Sequence, residues 1–273
     1  MTTDRAIVLA RGLGTRMRAA DSSAQLTPDQ QRAADSGVKA MMPVNGRPFL
    51  DFILSSLADA GIRLVALVVA PDHAALRRHY QTDAPPTRVS LDFVVQPEPL
   101  GTANAVLVTE AWVDGNAFLA MNADNLYPVA VLRQLASLPE PGLPVFEPEE
   151  LVTSSNIPAE RIRSFAVLDV NDDGHLVGIV EKPRDVPPPK GGSHKTARIS
   201  MNCWRFDQRI FQACRDVPKS ERGEFELPEA VGFAVRHGVK FKAFPARGPV
   251  LDLSTRADAA DVARRLASTI PRP

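Results

Sequence analysis

Residues 5–18 read RAIVLARGLGTRMR and join an apolar run to a glycine-rich turn. The apolar residues Ala6–Ala10 predict a buried strand, because a short apolar run bounded by turn residues is typical of a strand covered on both faces. Gly12-Leu13-Gly14 predicts a tight turn directly after that strand. In a parallel sheet, this is the edge at which ligands bind.

Apolar runs and helical segments alternate through the first half of the chain. Strands are predicted at Ala6–Ala10, Leu64–Ala70, Leu91–Val95 and Phe118–Met121, and helices at Phe49–Ala60, Asp72–Tyr80 and Thr102–Trp112. Repeated strand–helix–strand units predict a Rossmann-like α/β fold, with a mostly parallel central sheet and helices on both of its faces.

The pattern changes after about Glu140 and predicts a small antiparallel part. Phe165–Val170 and His175–Val180 flank the residues Asn-Asp-Asp-Gly at 171–174, a strong hairpin signal. Further strands are predicted at Arg198–Phe206 and Val239–Phe244, and a last helix from about Arg256 to Ser268.

Two stretches are predicted to be loops. Residues 19–37 form a polar insert, and residues 183–195 are rich in proline and glycine. No internal repeat or break in composition divides the chain, so we expect a single domain over residues 1–273.

The composition limits the classes of protein that need to be considered. The chain has 273 residues, with 32 Lys and Arg against 32 Asp and Glu, and this zero net charge argues against a nucleic-acid partner. The two cysteines, Cys203 and Cys214, form no C-x-x-C pair, which favours a reducing compartment. No apolar run approaches the roughly 20 residues that span a bilayer. We therefore expect a cytoplasmic protein with no membrane partner.

Two interpretations of the glycine turn are open from the residues alone. Glycines bring backbone N–H groups close to a phosphate, and Arg16 adds a guanidinium suited to phosphate oxygens. The alternative is a tight turn without a ligand. A dinucleotide-binding G-x-G-x-x-G loop fails at Met17, and no G-K-[ST] is present for a P-loop.

Five motifs, in order along the chain, resemble the sugar-1-phosphate nucleotidyltransferases. They are RGLGTRMR at 11–18 with KAMMPVNGRP at 39–48, QPEPLGTA at 96–103, NADN at 122–125, VEKP at 180–183 and LDL at 251–253. Together they span nearly the whole length. The resemblance implies transfer of a nucleotidyl group from a nucleoside triphosphate to a sugar-1-phosphate, with release of pyrophosphate.

The resemblance also assigns roles to positions that match the motifs. Arg16, Lys39 and Lys182 would be catalytic, since two polyanions must be brought together in line. Asp124 and Asp252 would bind Mg²⁺, a cation that prefers carboxylate oxygens. The residues implied in nucleotide binding are Leu9, Ala10, Gly12, Gly14, Thr15, Gln96, Gly101 and Thr102. Those implied in sugar binding are Asn125, Glu181 and Asn202.

The base is expected near Gln96 and Gly101. An amide pairs with the donor–acceptor edge of a pyrimidine, which favours UTP or dTTP, and glycine would let the ring approach closely. The alternative for Gln96 is a turn residue at a strand end. The resemblance also implies a homo-oligomer.

The sequence departs from the family pattern at two informative places. Arg11 replaces a small residue, and it would either contact a phosphate or point to solvent. Asn202 stands where glycine is usual; asparagine tolerates a positive φ, so its side chain would project toward the sugar. Because Arg16, Lys39, Asp124, Lys182 and Asp252 are all present, catalysis is favoured over the alternative, a non-catalytic family member that binds sugar nucleotides or regulates a partner.

Overall fold

The computed structural model of the protein describes residues 2–21, 24, 26–181 and 198–273. The strands are β1 Arg5–Leu9, β2 Pro43–Val44, β3 Arg47–Pro48, β4 Leu64–Val69, β5 Ser90–Val95, β6 Phe118–Asn122, β7 Asn125–Leu126, β8 Gly142–Val145, β9 Ala166–Val170, β10 Leu176–Val180, β11 Arg198–Ser200, β12 Cys203–Phe206, β13 Lys242–Pro245 and β14 Leu251–Asp252.

The α-helices are α1 Thr15–Arg18, α2 Pro28–Ser36, α3 Phe49–Asp59, α4 Ala74–Arg78, α5 Thr102–Leu107, α6 Glu110–Val113, α7 Val129–Ser137, α8 Pro148–Ser154, α9 Arg209–Asp216, α10 Leu227–Arg236 and α11 Asp258–Arg265. Two 3-10 segments, Lys39–Met41 and Ala159–Ser164, and one π-helical segment, His79–Asp83, lie between them. None of the helices in the described residues is long and apolar enough to cross a bilayer.

The predicted central sheet is confirmed. Seven strands lie in the order β13-β8-β12-β6-β1-β4-β5. β1 pairs in parallel with β4 and β6, β4 with β5, and β13 with β8, whereas β12 runs antiparallel to β6 and β8. Both faces are covered. Ala6 and Val8 of β1 belong to one buried apolar cluster, and Ile7 belongs to the cluster on the other face.

The antiparallel part is also confirmed. β9 and β10 form the predicted hairpin, and β11 joins them on the other edge of β9 in a three-stranded sheet. The prediction of a single strand over Arg198–Phe206 is wrong. This segment forms two strands, β11 in the small sheet and β12 in the central sheet. The break occurs at Asn202, whose φ of 57° turns the backbone between β11 and β12.

The loop predicted over residues 19–37 contains a helix. Thr27 caps α2 by accepting a hydrogen bond from the Gln30 amide, and the Gln30 side chain accepts one in return from the amide of Thr27. Pro28 occupies the first helical position, and Gly37 ends the helix with a φ of 75°. The sequence TPDQ at 27–30 is the start signal that the polar composition obscured. Residues 22, 23 and 25 of this insert, and the predicted loop 183–195, lie outside the described residues.

The carboxyl ends of the parallel strands meet at one edge of the central sheet. Three strands of this edge lead directly into the quoted motifs: β1 into residues 11–18, β5 into Gln96 and β6 into residues 122–125. The parallel pairing therefore brings residues from three distant motifs to one place.

Candidate active site

A cavity of about 350 Å³ opens at this edge of the sheet. All eight residues predicted to bind the nucleotide line it: Leu9, Ala10, Gly12, Gly14, Thr15, Gln96, Gly101 and Thr102. Arg16, Lys39 and Asp124 line it as well. The cavity therefore gathers residues that the sequence separates by more than a hundred positions.

The loop after β1 presents backbone N–H groups on one wall of the cavity. In the described part of the chain, no backbone acceptor pairs with the N–H of Gly12, Leu13 or Gly14. Consecutive unpaired amides in a turn form a concave site that suits an anion. A Cβ built on Gly12 would meet no atom within 4 Å, so the wall is open at this residue.

Gly14 lies on the side of the loop that packs against Gly37. Its φ is 63°, and an added Cβ would lie 2.2 Å from the carbonyl oxygen of Gly37. Gly37 precedes the 3-10 turn that begins at Lys39. The close contact between these two glycines places the loop near Lys39. The sequence could not predict this distance, because the insert at residues 19–37 separates the loop from Lys39.

Arg11 and Arg16 both line the cavity, but only Arg11 forms hydrogen bonds to the segment after β5. Arg11 donates from Nε to the Gln96 carbonyl at 3.2 Å and from Nη2 to the Pro97 carbonyl at 3.3 Å. This finding matches neither predicted role, because Arg11 ties the glycine loop to the segment after β5. Arg16 is exposed, and its guanidinium is available to a ligand in the cavity.

Lys39 and Asp124 form an ion pair inside the cavity. Lys39 Nζ lies 2.7 Å from Asp124 Oδ2, and the two side chains are 17% and 20% exposed. A phosphate or a cation that enters the cavity would compete with one partner of this pair for the other.

The two predicted metal carboxylates are neighbours. β7 and β14 pair with Asp252 opposite Asn125, and the Leu253 amide donates to the Asp124 carbonyl at 2.8 Å. Asp252 is 2% exposed and is not among the residues lining the cavity. Burial, followed by the nearby charge of Asp124, raises the pKa of Asp252 above its ordinary value.

Asp252 is held by a polar network. Its Oδ1 accepts from the Ser254 hydroxyl at 2.7 Å and from Asn125 Nδ2 at 3.3 Å, and its Oδ2 accepts from Arg161 Nη1 at 2.9 Å. Arg161 also pairs with Asp258 at 2.9 Å. Arg161 was not predicted from the sequence, because the surrounding residues NIPAERIRS carry no motif.

These residues fit a divalent cation. Asp124, Asp252 and Asp258 are acidic, whereas only Lys39 and Arg161 pair with them among the described residues, which leaves an excess of negative charge. No group of three or more His, Cys, Asp or Glu side chains within the described ranges could hold a metal alone. Mg²⁺ commonly uses one or two carboxylates and completes its coordination with phosphate oxygens and water.

The orientation of the Gln96 amide is fixed by its neighbours. Nε2 donates to the Gly101 carbonyl at 3.0 Å and to Asn104 Oδ1 at 2.8 Å. A carbonyl can only accept, so the nitrogen must face it. Both amide hydrogens are therefore used, and Oε1 is the atom of Gln96 that can read a base. Asn104 was not predicted, although it directly follows the QPEPLGTA motif.

Gly101 and Thr102 have structural partners that were not expected. A Cβ on Gly101 would lie 2.5 Å from the Phe225 carbonyl oxygen, so this contact by itself requires a glycine at position 101. Thr102 Oγ1 accepts from the Leu227 amide at 2.9 Å. The segment before α10 thus closes one side of the cavity.

The residues predicted to contact the sugar are not among those lining the cavity. Asn125 is buried against Asp252, and Glu181 is half-buried directly after β10. Asn202 has the expected positive φ, and its Oδ1 is buried with no hydrogen-bond partner among the described residues. Lys182 lies outside the described residues.

Comparisons with known proteins show the family to which the chain belongs. The model of the nucleotidyl transferase family matches residues 5–267. A UTP–glucose-1-phosphate uridylyltransferase of Haloferax volcanii is 28% identical over 266 residues, covering 96% of each chain. A glucose-1-phosphate thymidylyltransferase of Streptomyces antibioticus is 26% identical over 261 residues, which cover 95% of this chain and 65% of that protein.

The fold is similar to that of solved pyrophosphorylases. A UDP-glucose pyrophosphorylase complexed with UDP-glucose has a TM-score of 0.74 at 16% identity, covering 98% of this chain and 99% of that chain. A UTP-bound UGPase of Acinetobacter baumannii has a TM-score of 0.72 at 19% identity, covering 98% of this chain and 95% of that chain. With the family match over nearly the whole length, these findings show that the chain belongs to the nucleotidyl transferase family.

Proposed function

We propose that this nucleotidyltransferase joins a sugar-1-phosphate to the α-phosphorus of a nucleoside triphosphate, releasing pyrophosphate and forming a nucleotide sugar. The observation that carries the proposal is that one cavity is lined by the unpaired loop amides, Arg16, the Lys39–Asp124 pair and Gln96. The similar uridylyl- and thymidylyltransferases support the same reaction class.

The residues suit a reaction between two polyanions. Arg16 and the amides of the glycine loop would hold the triphosphate and its leaving pyrophosphate. Lys39, released in part from Asp124, would offset the charge that builds up on the phosphates in the transition state. The attacking phosphate oxygen is already ionised near neutral pH, so the chain needs no general base. Positioning and charge neutralisation account for the chemistry.

We include Mg²⁺ in the proposal, held by Asp124 and Asp252. When bound, Mg²⁺ would neutralise charge shared by the phosphate oxygens. The support is the adjacency of the two carboxylates and the excess of acidic over basic groups around them. Asn125 and Ser254 would keep Asp252 oriented through its Oδ1.

The nucleobase is proposed to be uracil or thymine. Gln96 offers an acceptor, Oε1, because its two amide hydrogens are bound to Gly101 and Asn104. Uracil and thymine present one donor, the N3–H, between two carbonyl acceptors on their pairing edge. Cytosine, adenine and guanine also carry donors on that edge, in their exocyclic amino groups and at guanine N1, so CTP, ATP and GTP all serve as competitors.

Lys182, Glu181, Asn125 and Asn202 are kept as proposed contacts of the sugar-1-phosphate. Their support is the match to the family motifs and, for Asn202, a buried acceptor with no partner among the described residues. We also propose a cytoplasmic location, where nucleoside triphosphates are available, and a homo-oligomer. Light scattering of the purified protein would test the assembly.

A substrate screen tests the function directly. The protein is incubated with Mg²⁺, one of UTP, dTTP, CTP, ATP or GTP, and a sugar-1-phosphate, and the released pyrophosphate is measured. We expect pyrophosphate with UTP or dTTP, and none when Mg²⁺ is replaced by a chelator. No pyrophosphate from any pair, together with binding of a nucleotide sugar, would instead support a non-catalytic or regulatory member of the family.

A further inference from the structure

Glu224 is an acidic residue in a cavity built for an anionic ligand. It belongs to the segment between α9 and α10, is half-buried, and lines the same cavity as Gln96 and Arg16. The other acid of that lining, Asp124, is paired with Lys39. No residue of the described part of the chain pairs with the Glu224 carboxylate, since the nearby Arg222 and Ser220 contact Glu226.

The backbone next to Glu224 is fixed to the segment that positions Gln96. The Phe225 amide donates to the Leu100 carbonyl at 2.8 Å, and the Ala103 amide donates to the Phe225 carbonyl at 2.8 Å. Gly101 lies between these two bonds, and its carbonyl accepts from Gln96 Nε2 at 3.0 Å. Glu224 therefore belongs to the Gln96 end of the cavity and not to the end formed by Lys39 and Asp124.

A carboxylate at that place needs hydrogen-bond donors. It repels phosphates, and burying it without a partner is costly. In a nucleotide the ribose lies between the base and the phosphates. With the base at Gln96 and the phosphates at the glycine loop, the ribose hydroxyls are the donors that reach this part of the cavity.

We propose that Glu224 is a specificity-determining residue that accepts hydrogen bonds from the ribose hydroxyls of the nucleotide and thereby favours UTP over dTTP. The two carboxylate oxygens match the adjacent 2′- and 3′-hydroxyls of a ribonucleotide, whereas a deoxyribonucleotide offers only one of them. The inference rests on the proposed nucleotidyl transfer and names which of the two pyrimidine triphosphates the site selects.

Four triphosphates distinguish the effect of the ribose from the effect of the base. UTP, dUTP, 5-methyl-UTP and dTTP vary the 2′-hydroxyl and the 5-methyl group independently. We expect the wild-type kcat/KM to fall by about tenfold to a hundredfold on loss of the 2′-hydroxyl, the range of one hydrogen bond to a charged group. The 5-methyl group should change kcat/KM far less.

Variants then connect this preference to Glu224. Glu224→Ala should lower kcat/KM for UTP and bring the UTP to dUTP ratio close to one, and Glu224→Gln should give an intermediate ratio. Glu221→Ala removes an exposed acid from the same segment and should keep the wild-type ratio. Thermal melting of each variant checks that it is folded.

Other outcomes overturn the inference. An unchanged UTP to dUTP ratio in Glu224→Ala, with a raised KM for the sugar-1-phosphate, would assign Glu224 to the sugar. Equal kcat/KM values of the wild-type enzyme for UTP and dUTP would also contradict the inference. Calorimetric Kd values for UTP and dUTP test Glu224 without turnover, so the inference can succeed even where no pyrophosphate is formed; equal Kd values would reject it.

Discussion

Two glycines of the loop after β1, separated by one residue, have different surroundings: one faces the cavity and the other faces the protein. Gly12 has open space where a side chain would begin, whereas Gly14 is pressed against the carbonyl of Gly37. The spacing G-x-G in the sequence does not distinguish these roles. The atoms that surround each Cα in the folded protein distinguish them.

Alanine at each glycine should therefore give opposite results. Gly14→Ala must adopt a φ near 63° and meets an oxygen at 2.2 Å, so we expect a loss of about 1–3 kcal/mol in the free energy of unfolding. Gly12→Ala should keep its melting temperature within about 2 °C while raising KM for the triphosphate. Equal destabilisation of both variants, measured by denaturant titration, would contradict this assignment.

Asp124→Asn tests the acidic pair. The amide keeps the shape of the carboxylate and can still accept from Lys39, and the site is partly exposed, so the melting temperature should change by no more than a few degrees. Turnover should be abolished, because the negative charge proposed to hold Mg²⁺ is lost. Asp169→Asn, on the exposed side of β9, is the control and should keep wild-type activity. Normal turnover in Asp124→Asn would remove Asp124 from the metal site.

At the scale of elements, α2 and Arg256 support the helix α1 that follows the glycine loop. Arg256, just before α11, donates to the Met17 carbonyl at 2.8 Å, to the Arg18 carbonyl at 3.1 Å and to Asp35 at 2.8 Å. Arg18 in turn donates to the Ser36 carbonyl at 2.7 Å. A buried guanidinium thus joins three segments around α1.

Removing that guanidinium should loosen the loop. Arg256→Ala leaves two carbonyls without their donor, and we expect a loss of about 1.5–3 kcal/mol in unfolding free energy. KM for the triphosphate should rise more than kcat falls, because the contact lies outside the cavity. Arg264→Ala, on the exposed side of α11, is the matched control with little expected change. A stable variant with unaltered KM would show that the loop holds its shape alone.

The same contact predicts a pH dependence. Hydrogen bonds from Arg256 and then from Gln31 hold the pKa of Asp35 below its usual value of 3.8. A lowered folded-state pKa contributes stability above the unfolded value, and this contribution is lost as the pH falls through the lower folded value. The difference in melting temperature between wild type and Asp35→Asn should be larger at about pH 6 than at about pH 3. A difference that does not vary with pH would reject this linkage.

At the scale of the whole molecule, the two apolar clusters cover opposite faces of one sheet. Alternate residues of β1 enter each cluster, so neither cluster can form without the strand that both require. We propose that residues 1–273 fold as one domain and should unfold in a single calorimetric transition. Two resolved transitions would instead divide the chain.

The two cysteines report on the two apolar clusters, since Cys203 belongs to one and Cys214 to the other. Cys203 and Cys214 are free and almost fully buried, and burial raises the pKa of Cys214 to about 12 and that of Cys203 still further above its usual value. Thiolates are the reactive species, so neither residue should react with a thiol reagent in the native protein. Both should react after denaturation. Rapid labelling of the native protein would show that one face of the sheet opens readily.

Signals local in sequence predicted the sheet and much of the cavity. Apolar runs such as Ala6–Ala10 predicted strands, and the position of the glycine turn after β1 placed Gly12 at the carboxyl edge of a parallel sheet. The resemblance to the family motifs assigned Gln96 and Asp124 to the same site. The helix in residues 19–37 was missed because its polar surface hides the period of a helix that is only nine residues long.

The tertiary structure alone decided how these residues work together. Asn125 and Asp252 meet across 127 positions through β7 and β14, and Arg161 reaches Asp252 from a segment with no motif. The orientation of Gln96 depends on the carbonyl of Gly101. Glu224 lies at the cavity because the backbone of the next residue, Phe225, is hydrogen-bonded to the segment that follows Gln96. The physical reason is that hydrophobic period and turn propensity act over a few residues, whereas charge pairing and amide orientation depend on which distant segments the packed chain brings within hydrogen-bond distance.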